Sequence, residues 1–147
     1  MLRVTKLTDY ATLVLTALAE SPARVLSANE LAEQAHLELP TVSKVLKPLA
    51  HAGLVESFRG SNGGYRLARD AASISVIEIV EAIEGRIGVT ECSGEHSHCE
   101  LESHCSVRGK WRDINSVVAD ALRGVTLAEM LPQPRSRKAI PMQLAGV

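Results

Sequence analysis

Apolar side chains at Ala11, Val14, Leu15 and Leu18 recur at three- and four-residue spacing and predict a first helix. Thr8 suits its N-cap, and Ser21-Pro22 stops it. Ser27-Ala28-Asn29-Glu30 forms a capping box that opens a short helix over 28–35, with Leu31, Ala32 and Ala35 on one side. After a break at His36-Leu37-Glu38-Leu39, Pro40 suits the first position of a third helix, where its missing N–H costs nothing. Val42, Val45, Leu46 and Leu49 carry that helix to Ala52 and the stop at Gly53, with a kink expected at Pro48.

The period then shortens. Residues 54–58 and 65–69 read as short strands, joined by the glycine-rich turn Arg59-Gly60-Ser61-Asn62-Gly63-Gly64. A second capping box, Ser75-Val76-Ile77-Glu78, opens a helix with Val76, Ile79, Val80 and Ile83 on one side, closed by Gly85. No period runs through 86–105. Val107, Trp111, Ile114, Val118, Ala121 and Leu122 predict a long amphipathic helix over 106–123, ending at Gly124. Thr126-Leu127-Ala128-Glu129 caps one last turn, and three prolines with Arg135, Arg137 and Lys138 in 132–147 predict a flexible tail.

Three helices followed by a hairpin is the order of a winged helix-turn-helix. The fold class expected is mainly α, with a two-stranded wing and a long C-terminal dimerisation helix. Four parts follow: a winged-helix DNA-binding domain over 1–85, a cysteine-rich cluster-binding loop over 86–105, the dimerisation helix and final turn over 106–131, and the tail. A chain of 147 residues with 46% hydrophobic content supports one core of this kind.

Charge placement changes the picture more than charge total. The net charge of −1 argues against a nucleic-acid partner, and the four aromatic residues, Tyr10, Phe58, Tyr65 and Trp111, exclude binding by base stacking. Between Thr41 and Arg69, however, Lys44, Lys47, Arg59, Arg66 and Arg69 face a single acid, Glu56. Thr41, Ser43, Lys44 and Lys47 fall in the early turns of the third helix, where side chains reach base edges and phosphates. Arg59, with Gly60 and Gly63 beside it and Tyr65 just beyond, is suited to a narrow minor groove. Taken singly, each lysine is a solvated helix position and each glycine a turn residue. Their order favours double-stranded operator DNA as partner.

Cys92, Cys99 and Cys105 are the only cysteines and lie within one short segment, interspersed with His96, His98 and His104 and flanked by Glu91, Glu95, Glu100 and Glu102. An odd count with no secretory signal is a poor disulfide framework, so a cytoplasmic protein with reduced thiols and no membrane partner is expected. The segment lacks the close CxxC pairs usual for structural zinc. Three thiolates with six and five residues between them suit a larger object, such as an iron–sulfur cluster with a fourth ligand from elsewhere. Spacing alone leaves zinc and cluster open. A Cys–His pair on a loop is not an organised nucleophile and base, and the wing glycines do not precede a helix N-terminus, so an enzyme is not expected.

The segments LTDYATLVL, LPTVSKVLKPLAHAGLVESFRGSNGGYRLARD, ISVIEIVEAIEG and VRGKWRDINSVV, together with the cysteine loop, resemble the Rrf2 family of bacterial transcriptional repressors over about residues 1–131. The likeness is greatest to the members that control Suf iron–sulfur assembly operons. It implies a homodimer joined through the helix at 106–123 and an iron–sulfur cluster, 2Fe–2S or 4Fe–4S, that responds to iron–sulfur status, oxidants or nitric oxide. Cys92, Cys99 and Cys105 match the family's cluster ligands, with six residues between the first pair where relatives commonly have five. IscR-like members take a fourth ligand from a His three residues after the last Cys, a position held here by Arg108. NsrR-like members use an acid at the start of the first helix of the partner subunit, which Asp9 matches, and His104 is the local fallback. On residue chemistry alone Asp9 is equally a helix N-terminal carboxylate. The alternative function is a winged-helix regulator that senses zinc, thiol oxidation or nitric oxide. A module that only dimerises, with an unused helix-turn-helix, is a further one.

Overall fold

A computed structural model of the chain describes residues 3–94, 99–101 and 103–133. The expected tail from 134 onward, and Glu95, His96, His98 and Glu102, lie outside the described residues. The element order is α1 (Lys6–Glu20), α2 (Ala28–Ala35), α3 (Leu39–His51), β1 (Val55–Phe58), β2 (Gly64–Leu67), α4 (Val76–Glu84), α5 (Arg108–Arg123) and α6 (Leu127–Met130). A 3-10 turn at Ala71–Ser73, unmarked by any sequence period, leads from the wing into α4.

The apolar stripe of α1 is the centre of the core. Ala11, Val14, Leu15 and Leu18 are fully buried, and α1 packs against α2, α3, α4 and α6. Val42, Val45, Leu46 and Leu49 of α3 close on it, with Leu26, Leu31, Leu54, Ile74, Ile79 and Leu127 filling the layer between. The expected capping boxes are all present, at Ser27 with Glu30, Ser75 with Glu78 and Thr126 with Glu129.

Thr8 is not the N-cap of α1. Helix α1 begins three residues earlier than a Thr8 cap would allow, with Thr5 as N-cap, and Thr8 is a buried helical residue. Leu39 rather than Pro40 opens α3, which places the proline second in the first turn. Pro48 does not stop the helix. It forfeits the N–H it lacks, and its carbonyl accepts from the Ala52 N–H at 2.9 Å.

The wing is an antiparallel pair in which Val55 faces Leu67, Glu56 faces Arg66, Ser57 faces Tyr65 and Phe58 faces Gly64. Its inner edge is joined to the helices: Tyr65 and Leu26 exchange both backbone bonds, at 2.7 and 2.9 Å. That approach leaves no room at Gly64, where an added Cβ would stand 2.4 Å from the Leu26 carbonyl oxygen. Because the obstacle is backbone, Gly64→Ala is expected to lower stability by about 1–3 kcal/mol. Chemical denaturation of the two proteins checks this, and an unchanged midpoint would contradict it.

At the other end, the chain leaves α5 and returns to the core. The Val76 N–H donates to the Val125 carbonyl, the Leu127 N–H donates to the Ile74 carbonyl, and Leu127 is fully buried. Helix α5 itself buries no residue. Val107, Trp111, Ile114 and Val117 are exposed along it, and Val118 and Leu122 are half-buried.

Candidate nucleic-acid interface and metal centre

Helices α2 and α3 form the expected two-helix unit. The chain reverses at His36, whose left-handed backbone (φ 53°, ψ 42°) ends α2 and lets its N–H return to the carbonyls of Ala32 and Glu33. With the apolar stripe of α3 in the core, Ser43, Lys44 and Lys47 are exposed on the opposite face and Thr41 is half-buried at its flank. His51, not singled out by the sequence reading, ends the same exposed face. Among the described residues Lys44 and Lys47 make no ion pair.

The wing divides its three arginines into two kinds. Arg66 pairs across the strands with Glu56 at 3.0 Å and lies 5.0 Å over the Phe58 ring. Arg69 is held by Glu78 and by the Ser73 carbonyl at 3.1 Å, fastening the end of the wing to the start of α4. Burial opposes ionisation of the Glu78 carboxyl, but the Ser75 N–H and Arg69 outweigh it and hold its pKa below the ordinary value. Arg59 has no such partner among the described residues and stands exposed at the turn. The basic surplus counted from the sequence therefore reduces to Lys44, Lys47 and Arg59. Gly60, next to Arg59, has φ +104° with open space around its Cα. Gly63 is required internally, since a Cβ there would meet the Phe58 carbonyl oxygen at 2.5 Å. Tyr65 packs against the core.

The cysteine segment is pinned at its root by two side chains that the sequence did not mark. Glu84, the last residue of α4, accepts three hydrogen bonds at one carboxylate oxygen: from the Thr5 N–H at 2.9 Å and from the hydroxyls of Thr5 and Thr8 at 2.6 Å each. It caps α1 from 79 residues away, which explains why local reading misplaced the helix start. Gly85 then turns the chain with φ +84°, and the Val89 N–H donates to Asn115 Oδ1 of α5 at 3.0 Å.

The bonds to Thr5 and Thr8 hold the Glu84 carboxyl below its ordinary pKa. A lowered carboxylate stabilises the fold above its unfolded-state pKa, and that contribution is lost as pH falls through the folded value. Glu84→Gln is expected to cost about 1 kcal/mol near neutrality, discounted for solvent exposure. It should also flatten part of the stability loss below pH 4.5. Thermal melts of both proteins from pH 7 to pH 3 check this, and parallel curves would contradict it.

Beyond Val89, Thr90 and Ser93 close a turn around Cys92. The Thr90 N–H donates to Ser93 Oγ at 2.8 Å, and Ser93 Oγ returns to the Thr90 carbonyl at 2.9 Å. Cys92 is buried, with its Sγ 3.2 Å from the Thr90 hydroxyl. Cys99 and Cys105 are half-buried, and all three thiols are free. Among the described residues no three His, Cys, Asp or Glu side chains come together as a metal-holding group. His104 is exposed. Asp9 is exposed in the first turn of α1, where its carboxylate has no partner among the described residues. As a donor set, three free thiols on a segment whose described residues form no helix or strand suit an iron–sulfur cluster, with one position left for a ligand from outside the segment.

Comparison with known proteins identifies the family. The profile of the Rrf2 family, described as iron-dependent transcriptional regulators, matches residues 4–133. The HTH-type transcriptional regulator IscR of Vibrio campbellii is 33% identical over 102 residues, which is 69% of this chain and 60% of that protein. IscR of Vibrio cholerae is 32% identical over 102 residues, 69% of this chain and 58% of that one. The chain thus matches about three-fifths of the length of these relatives. Among solved structures, CymR, the global cysteine regulator of B. subtilis, is 26% identical with a TM-score of 0.68, covering 88% of this chain and 96% of that one. IscR of T. potens is 27% identical with a TM-score of 0.65, covering 88% and 85%. These relatives are regulators and not enzymes, and no helix among the described residues is long and apolar enough to cross a membrane. The chain belongs to the Rrf2 family of helix-turn-helix transcriptional regulators.

Proposed function

We propose that this regulator binds operator DNA as a homodimer and represses genes of iron–sulfur cluster assembly according to the state of a cluster held by Cys92, Cys99 and Cys105. The observation that carries the reading is the joining of two sites in one chain. Three free thiols lie on a segment whose root is tied by Glu84 to α1 and by Asn115 to α5. The exposed cations of α3 and the wing share the core built on α1.

Three of the four parts take distinct roles. Residues 1–85 read DNA through Thr41, Ser43, Lys44, Lys47 and Arg59, with Gly60, Gly63 and Tyr65 shaping the wing. Segment 86–105 supplies the thiolates. In 106–131 the apolar face of α5, with Trp111 and Ile114 exposed on it, is the surface on which a second copy packs. Asp9, exposed at the start of α1 and without a partner among the described residues, supplies the fourth ligand to the partner subunit, with His104 as the local alternative.

When bound, the cluster supplies a linkage between thiolates that oxidants, nitric oxide or iron shortage remove. The chain's part is to convert the position of its cysteine segment into a position of α1. Glu84 clamps the start of α1 beside Gly85, so a shift of the segment bears on the helix that packs against α3. In a homodimer that shift alters the separation of the two α3 helices, which must match one DNA turn of about 34 Å.

Anaerobic purification tests the reading. Brown protein with equal iron and sulfide supports it, and colourless protein with one zinc per chain overturns it. Thiol sensing without a cluster is the second reading, favoured by the likeness to the cysteine regulator CymR of B. subtilis and to the CymR of Staphylococcus aureus solved in an oxidised form. Colourless, metal-free protein whose DNA affinity changes on thiol oxidation would establish that reading instead.

A further inference from the structure

The first turn of α3 breaks two local rules together. Helices α2, α4 and α6 each start with a capping box, whereas α3, like α1 and α5, starts without a side-chain cap, here at Glu38. Glutamate is a poor N-cap, and Ser, Asp or Asn at the same place would add stability. The next residue, Leu39, is 41% exposed and lies outside the core cluster. Two such departures side by side, on the helix whose lysines make no ion pair among the described residues, mark a place where fold stability yields to another demand.

We infer that Leu39 is a specificity-determining residue that reads a thymine through its 5-methyl group. At 100° per residue Leu39 stands about 40° around α3 from Ser43 and one turn before it. It thus borders the face of Ser43, Lys44 and Lys47 at the end of the helix that enters the groove most deeply. In the major groove only thymine presents an apolar group, so an isobutyl side chain gains there and nowhere else on a base edge. Glu38 acts in the same direction. Its carboxylate is exposed and repelled by every phosphate, which keeps this end of α3 off the backbone and over the base edges. The lysines one and two turns later hold the phosphates instead.

This inference rests on α3 being the DNA-contacting helix, and the test separates the two. The full chain would select a consensus duplex from a random pool, and that duplex would be the probe. Each thymine is then replaced in turn by deoxyuridine, which removes the methyl and leaves the pairing unchanged. At one thymine per half-site the wild-type protein is expected to lose about fourfold in affinity for each methyl removed, the worth of one buried methyl. Leu39→Ala should bind the thymine and uracil duplexes equally, and Leu39→Met should restore the preference. Thermal midpoints should not move, because Leu39 is not in the core.

Lys44→Ala should weaken both duplexes while preserving their ratio. A Leu39→Ala protein that keeps the wild-type ratio overturns the inference, and so does a wild-type protein indifferent at every thymine. Failure to select any duplex overturns the inference together with the DNA reading beneath it. If Lys44→Ala has no effect while Leu39→Ala abolishes the methyl dependence, the inference stands and the role given to Lys44 falls.

Discussion

Lys44→Ala and Arg59→Ala are each expected to weaken operator binding by about ten- to a hundredfold, with no change in thermal stability. The size follows from what a charged side chain contributes at a base edge or phosphate, counted twice in a homodimer. The specificity of the expectation comes from the structure. Arg66 and Arg69 lie on the same wing but are already neutralised, by Glu56 at 3.0 Å and by Glu78. A cation that must leave a carboxylate to meet a phosphate gains little by the exchange, so Arg66→Ala should stay within about twofold of wild type. Salt separates the two kinds further. Removing one phosphate contact per subunit should flatten the slope of log affinity against log salt by about 2 units, and Arg66→Ala should leave it in place. Fluorescence anisotropy between 50 and 200 mM salt measures all of this. Equal losses at Arg59 and Arg66 would show that the cross-strand pair opens freely and that total charge, not its pairing, sets affinity.

The same arginines show where sequence reading reaches its limit. The surplus of basic residues over 41–69 is legible by counting, and it points to the face proposed here to meet DNA. Which of those charges are free depends on register and on contacts between elements. Glu56 faces Arg66 only because the hairpin pairs in one register, and Arg69 meets Glu78 only because a 3-10 turn brings α4 beside the wing. Local grammar was otherwise dependable. A capping box is a contact between residues three apart, so all three expected boxes are present. The start of α1 failed for the converse reason, because its cap is Glu84 and no window along the chain contains both. Gly63 and Gly64 were legible as turn residues, but the crowding at the Phe58 and Leu26 carbonyls that demands them was not. For the cysteines, number and spacing were legible, whereas the burial of Cys92 beside Thr90 depends on a turn closed by Ser93.

That burial makes the three cysteines unequal, and the largest expected effect follows from it. Any one of Cys92→Ala, Cys99→Ala or Cys105→Ala should abolish bound iron and sulfide in anaerobically purified protein, since two thiolates and one outside ligand cannot retain a cluster. Their effects on the metal-free protein should differ. Cys99 and Cys105 are half-buried, and replacing them should leave the thermal midpoint of the apo chain unchanged. Cys92 is 6% exposed, with its sulfur against the Thr90 hydroxyl, and its loss should loosen the turn at 90–93 and cost about 1 kcal/mol. Asp9→Ala should keep the thiolates and the apo stability but alter the visible spectrum and hasten loss of the cluster in air, because only the outside ligand has changed. His104→Ala should resemble wild type. The reverse pattern, with a spectrum moved by His104→Ala and untouched by Asp9→Ala, would place the fourth ligand within the segment. A cluster completed inside one chain would then leave Glu84, not a shared ligand, as the connection from the cysteine segment to α1.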